Sequence, residues 1–103
     1  MIVVISSSGA TLTDAQDTST LHVAIHGGLD QIHIVEVLKQ SGLGTLENGH
    51  AFLDQAGLRT LAGPMATPEW VKAVAAMADY AATKGWTNSE GALQAHLVYP
   101  AAS

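Results

Sequence analysis

The stretch TPEWVKAVAAMADYAATKG, residues 67–85, constrains the fold more than any other part of the chain. Thr67 offers a side-chain oxygen to cap a helix. Pro68 fits the first turn, where its missing N–H costs nothing, and Glu69 complements the positive end of the helix dipole. Trp70, Val74, Met77 and Ala81 recur at i, i+4, i+7 and i+11, and Val71 and Ala78 widen them into a single apolar stripe. Lys84 and Gly85 close the helix. A helix with one apolar face must lay it on another layer, and its many alanines let that layer come close.

The remaining apolar segments are short and strand-like. IVVI, residues 2–5, is a β-branched run that reads as a buried strand. TLHVAIH, residues 20–26, alternates: Leu21, Val23 and Ile25 face one way, His22, Ala24 and His26 the other. GALQAHLVYP, residues 91–100, alternates too, with Leu93, Ala95, Leu97 and Tyr99 set against Gln94, His96 and Val98, and Pro100 ends it. Asn48-Gly49 favours a type I′ turn, either a local hairpin or a turn into the strand HAFL, with His50 at the turn. SSSGATLTDAQDTST, residues 6–20, reads as a long connection and a candidate flap.

Two further helices are expected. LDQIHIVEVLKQS, residues 29–41, is rich in β-branched residues, which favours strand. The helical projection gathers Ile34, Val35, Val37 and Leu38 on one side and His33, Glu36 and Gln40 opposite, with Ile32 the misfit. The SGLG that follows is a glycine C-cap with an apolar residue after it, so helix is the expectation. DQAGLRTLAG reads as a short helix capped by Asp54 and stopped by Gly63-Pro64. The 103 residues are expected to form one α+β domain, a two-layer sandwich. It would consist of a small mixed sheet of three to four strands with two or three helices packed on one face.

Composition narrows the function classes. Charged residues make up 13% of the chain, about half the ~25% usual in soluble domains. A surface so poor in charge is expected to hide part of itself against another copy, which makes a homodimer the expected state. The net charge is −5 and there is no basic run, which argues against nucleic acid and against anionic membrane. Without cysteine, disulfides, thiolate catalysis and cysteine zinc sites are excluded. The apolar run after Met1 is too short for a signal sequence or a membrane span, so the cytoplasm is the expected compartment.

The candidate site is HVAIHGGLD, residues 22–30. A strand that ends in Gly27-Gly28 before a helix gathers free N–H groups and the positive helix end, which suits an anion. His26 would stand beside it as a proton donor, with Asp30 in reach. The same glycines also serve a plain tight reversal. The patterns G-x-S-x-G, G-x-G-x-x-G and G-x-x-x-x-G-K-[ST] are absent, so no cofactor is implied.

The five histidines outnumber the four basic residues. His22 and His26, four residues apart on a strand, lie about 13 Å apart and cannot share a metal, so no metal site is expected. If the last strand neighbours residues 21–26, His96 approaches His22 or His26 and forms an acid–base or pH-sensing pair. Trp86, in the polar loop GWTNSEG, either packs in the core or covers a pocket.

Two readings follow. One is a non-catalytic domain that self-associates or binds a protein partner. The other is a small dimeric acid–base enzyme or small-molecule binder that uses His26 and His96 near the Gly27-Gly28 turn.

Overall fold

A computed structural model describes residues 1–18, 20–47, 49–88 and 91–99. Six strands and three α-helices run in the order β1 (Ile2–Ser6), β2 (Gly9–Thr13), β3 (His22–Ile25), α1 (Gln31–Gln40), β4 (Gly44–Glu47), β5 (His50–Leu53), α2 (Gln55–Ala62), α3 (Pro68–Thr83) and β6 (Leu93–Val98). A 3₁₀ turn, Gly63–Met65, joins α2 to α3. The strands form one mixed sheet in the order β2-β1-β3-β6-β5-β4. β1, β3 and β6 run parallel; β2 extends the β1 side as its antiparallel hairpin partner, and the β4–β5 hairpin extends the β6 side, with β5 antiparallel to β6.

The α+β class stands, but a sheet of three to four strands does not. The two extra strands are the edges. β2 lies inside the segment expected to be a long connection, and only Ala10 and Leu12 of that strand pack on the core. β4 gives the core only Leu46. Edge strands with one or two inward apolar residues carry little alternation to read. His50, expected at a turn, is the first residue of β5. The Asn48 half of the proposed type I′ turn lies outside the described residues, while Gly49 adopts φ 79°.

Sequence logic explains the helix ends. Thr67 Oγ1 accepts from Trp70 N–H at 3.2 Å, as the capping pattern requires. Asp54 occupies the cap position of α2 but makes no side-chain hydrogen bond there. α1 ends in a complete Schellman motif: Gly42 N–H donates to the Lys39 carbonyl and Leu43 N–H to that of Leu38. Leu38 and Leu43 are both fully buried. Ile32, the helical misfit, is 71% exposed.

All three helices cover the same face of the sheet. Ile34 and Leu38 of α1, Leu58 and Ala62 of α2, and Trp70, Val74, Ala78 and Ala81 of α3 share one core cluster with sheet residues including Val3, Ile5, Val23, Ile25, Leu53 and Leu93. α1 touches β4 at one edge of the sheet and β1 and β2 towards the other. The sheet therefore curls round the helices as a half-barrel. Its outer face is left without a covering layer among the described residues.

Candidate functional site

The strand registers determine what the outer face presents. His22 of β3 pairs with His96 of β6, and His96 pairs with His50 of β5. Three imidazoles thus stand in one row across three adjacent strands, and the rings of His50 and His96 lie 5.3 Å apart. Ile2 continues the row on β1, and Glu47 continues it on β4. The parallel row above runs Val4, Ala24, Val98. No group of three or more His or carboxylate side chains suited to a metal occurs among the described residues. The outward curvature of the sheet spreads side chains on this face, whereas a zinc site needs its ligands to converge to about 2 Å from one point.

A cavity of ≈ 430 Å³ opens beside this row. It arises because β6 changes partner along one edge. From His96 onward that edge pairs with β3. Before it, Thr87 bridges Leu93, and Gln94 N–H donates to the Trp86 carbonyl at 2.8 Å. β3 and the segment carrying Trp86 thus diverge as the prongs of a fork over the start of β6. Leu21 and His22 line the cavity from one prong and Trp86 from the other. Leu93 and His96 line it from β6, and Met77, Tyr80 and Ala81 from α3.

Trp86 is placed by the end of α3. Lys84 caps the helix, Gly85 takes φ 76° and donates to the Ala82 carbonyl, and Trp86 N–H donates to that of Ala81. This is a second Schellman motif, with Trp86 in the position that folds back over the last turn. The Trp86 ring meets Tyr80 edge-on at 6.3 Å between centroids, and Lys84 Nζ lies 5.6 Å from the Tyr80 ring. Trp86 is 47% exposed and Tyr80 58%, so core packing of Trp86 is corrected: it borders the cavity. Trp70, by contrast, is buried and donates Nε1–H to the Ala15 carbonyl at 2.8 Å.

No family model, curated protein or solved structure matches this chain.

The residues singled out from sequence separate into two places. His22, His96 and Trp86 meet at the cavity. His26 lies beyond the last residue of β3, exposed at the opposite end of that strand from Leu21, and His96 pairs with His22. Gly27, Gly28 and Asp30 precede α1 at that same distant end. There Asp30 caps α1. Its Oδ1 accepts from His33 N–H at 3.0 Å and lies 2.6 Å from His33 Nδ1. A carboxylate already occupies the helix start where an anion would bind. The hydrogen bond from the His33 backbone, then the one from its ring, hold the Asp30 carboxyl below its usual range. The hydrogen bond to Asp30, followed by that group's charge, raises His33.

His50 and Tyr80 are the site residues that the chain alone did not mark. Tyr80 follows from Trp86 once the TKGW sequence is read as a Schellman end.

Proposed function

We infer that this protein binds a small, mainly apolar, ring-bearing molecule in the cavity at the fork of the sheet. His22 and His96 offer it hydrogen bonds, and Trp86 and Tyr80 form a partly exposed aromatic wall. The fork carries the reading, because it opens a concavity between two prongs instead of leaving a closed sheet. Its volume of ≈ 430 Å³ falls within the range of about 300–1,000 Å³ typical of ligand pockets. The lining is of the expected kind, apolar with a few polar groups to orient a guest. Leu21, Met77, Ala81 and Leu93 supply the apolar part. Neither His22 nor His96 has a side-chain hydrogen-bond partner among the described residues, so both imidazoles are free to serve a guest.

Binding is favoured over acid–base catalysis by what surrounds those imidazoles. Among the described residues no carboxylate lines the cavity to fix a tautomer, and Glu47 neighbours His50, one strand further from the cavity than His96.

The test is a two-dimensional NMR titration with indole, 1-naphthol and 4-hydroxybenzoate as probes. The expected result is saturable shifts of the Trp86 indole N–H and of the His22 and His96 rings, with those of Trp70 and His33 unmoved. Trp86→Ala should weaken the best probe at least tenfold while the Trp70 indole resonance keeps its folded position. Uniform, non-saturating shifts with all three probes at millimolar concentration would remove the reading.

A further inference from the structure

We infer that the guest of the cavity is an anion, a ring-bearing carboxylic acid, and that the protein holds it more tightly as the solution is acidified towards pH 5.5. This rests on the cavity reading and adds to it the charge of the guest and the way it lies. Strand alternation divides the lining in two. Leu21, Met77 and Leu93 pack with the core cluster under the helices, while His22, Gln94 and His96 hold the outward positions of β3 and β6. A guest therefore sets its ring against the apolar end and its polar group among the imidazoles and the amide.

The surroundings select the charge of that polar group. The chain holds nine acidic residues against four basic ones, yet among the described residues no carboxylate lines the cavity. A cationic head would find no counter-charge there, and Lys84 Nζ already stands 5.6 Å from the Tyr80 ring. A carboxylate finds donors. His22 and His96 are register partners on strands about 4.8 Å apart, so its two oxygens can accept one hydrogen bond from each ring. The net charge of −5 opposes an anion at long range, but salt screens it beyond about 8 Å. Contacts inside a partly enclosed cavity are screened much less, so the local donors win.

Acid strengthens those donors. Imidazoles change charge between about pH 8 and 5, whereas a carboxyl group stays largely ionised above about pH 5. Over that interval the two rings turn from neutral donors into cations, and hydrogen bonds between ions are about twice as strong as neutral ones. A carboxylate held between the rings favours their protonated forms, so proton and guest bind cooperatively. The neighbouring elements bring other charged groups. The His50 ring of β5 lies 5.3 Å from that of His96, and Glu47 of β4 pairs with His50. Tyr80 and Lys84 stand on the α3 side. Before β3, Asp17 Oδ2 accepts from Thr20 Oγ1 at 3.4 Å, and the Met1 amino group donates to the Asp17 and Thr20 carbonyls. β1 sets Ile2 against His22. Of the groups that line the cavity, the two imidazoles are the ones that change charge in this interval.

Isothermal titration calorimetry at pH 8.0 and 5.5 decides it, with 2-naphthoate, its neutral amide 2-naphthamide and the cation 2-naphthylmethylamine as probes. 2-Naphthoate should bind at least tenfold tighter at pH 5.5 than at pH 8.0, and at least tenfold tighter at pH 5.5 than either other probe. Near pH 7 its binding should take up protons, seen as an enthalpy that varies with the ionisation heat of the buffer. The amide should keep its affinity within twofold at both pH values. The His22→Gln, His96→Gln double variant should cut the pH response of 2-naphthoate to under threefold while the Trp70 indole resonance keeps its folded position. His33→Gln, at the distant start of α1, should leave that response intact. The proposal is overturned if the amide or the amine binds as tightly as 2-naphthoate at pH 5.5, if 2-naphthoate gains nothing on acidification, or if the double variant keeps the full gain. In each of those cases saturable shifts of the Trp86 indole N–H would leave the cavity reading standing; failure of all three probes to produce them would remove both.

Discussion

Replacing Gly57 with alanine sets two effects of known size against each other. In an isolated helix the change stabilises by up to about 1 kcal/mol, because alanine has less backbone freedom to lose. In this protein, Gly57 is the buried residue by which α2 approaches the turn between α1 and β4. An added Cβ would fall on the Gly42 carbonyl oxygen and lie 2.9 Å from Leu43 Cα. Those atoms cannot yield easily. Gly42 and Leu43 are tied to Lys39 and Leu38 by the Schellman bonds, and the Leu43 carbonyl accepts from Asp54 N–H at 2.7 Å. Overpacking against a fixed backbone costs about 1–3 kcal/mol, occasionally more. Contacts this short to fixed backbone put the cost in the upper part of that range, about 2–3 kcal/mol, so the clash wins with a net loss of about 1–2 kcal/mol. For a domain of this size that lowers Tm by about 5–15 °C. Urea denaturation should show a lower midpoint with an unchanged slope. The control is Gly28→Ala, where an added Cβ meets nothing within 4 Å and φ is not positive. That change should be neutral or slightly stabilising. If Gly57→Ala matches the control, α2 does not approach that turn so closely.

Three further outcomes are expected. Gly27→Ala should cost about 1–2 kcal/mol, since Gly27 takes φ +75° and a Cβ is strained there whatever space surrounds it; a neutral result would show that the turn after β3 differs. Trp70→Phe strands the Ala15 carbonyl and opens a small void, which should cost about 2–4 kcal/mol; a loss under about 0.5 kcal/mol in urea would deny the link between α3 and the chain before β3. The His33 ring should titrate above the ordinary 6.5 and Asp30 below 3.8, and Asp30→Asn should return His33 towards its ordinary value. The His33 contribution is complete below pH 6.5 and fades as pH rises through its raised folded value. That of Asp30 is complete above 3.8 and fades as pH falls through its lowered one. The pair therefore supports α1 most between those limits, and an NMR titration that finds His33 at or below 6.5 would refute the ion pair.

The chain by itself determined its local elements. Thr67, Pro68 and Gly85 bound α3, Gly42 closes α1, a β-branched run marks β1, and alternation marks β3 and β6 with their inward and outward residues, because caps, glycine turns and side-chain periodicity act over a few positions. Two edge strands escaped, since β2 and β4 bring too few apolar side chains to show a period. What the tertiary structure alone decided is which strands lie side by side. Nothing within HVAI or LQAHLV names the other as its neighbour; the pairing depends on how three helices fill one concave face. That choice aligns His22 with His96 instead of His26, brings His50 from a hairpin into the same row, and splits the edge of β6 so that Trp86 borders a cavity. Register is a property of the packed sheet, and the site follows from register.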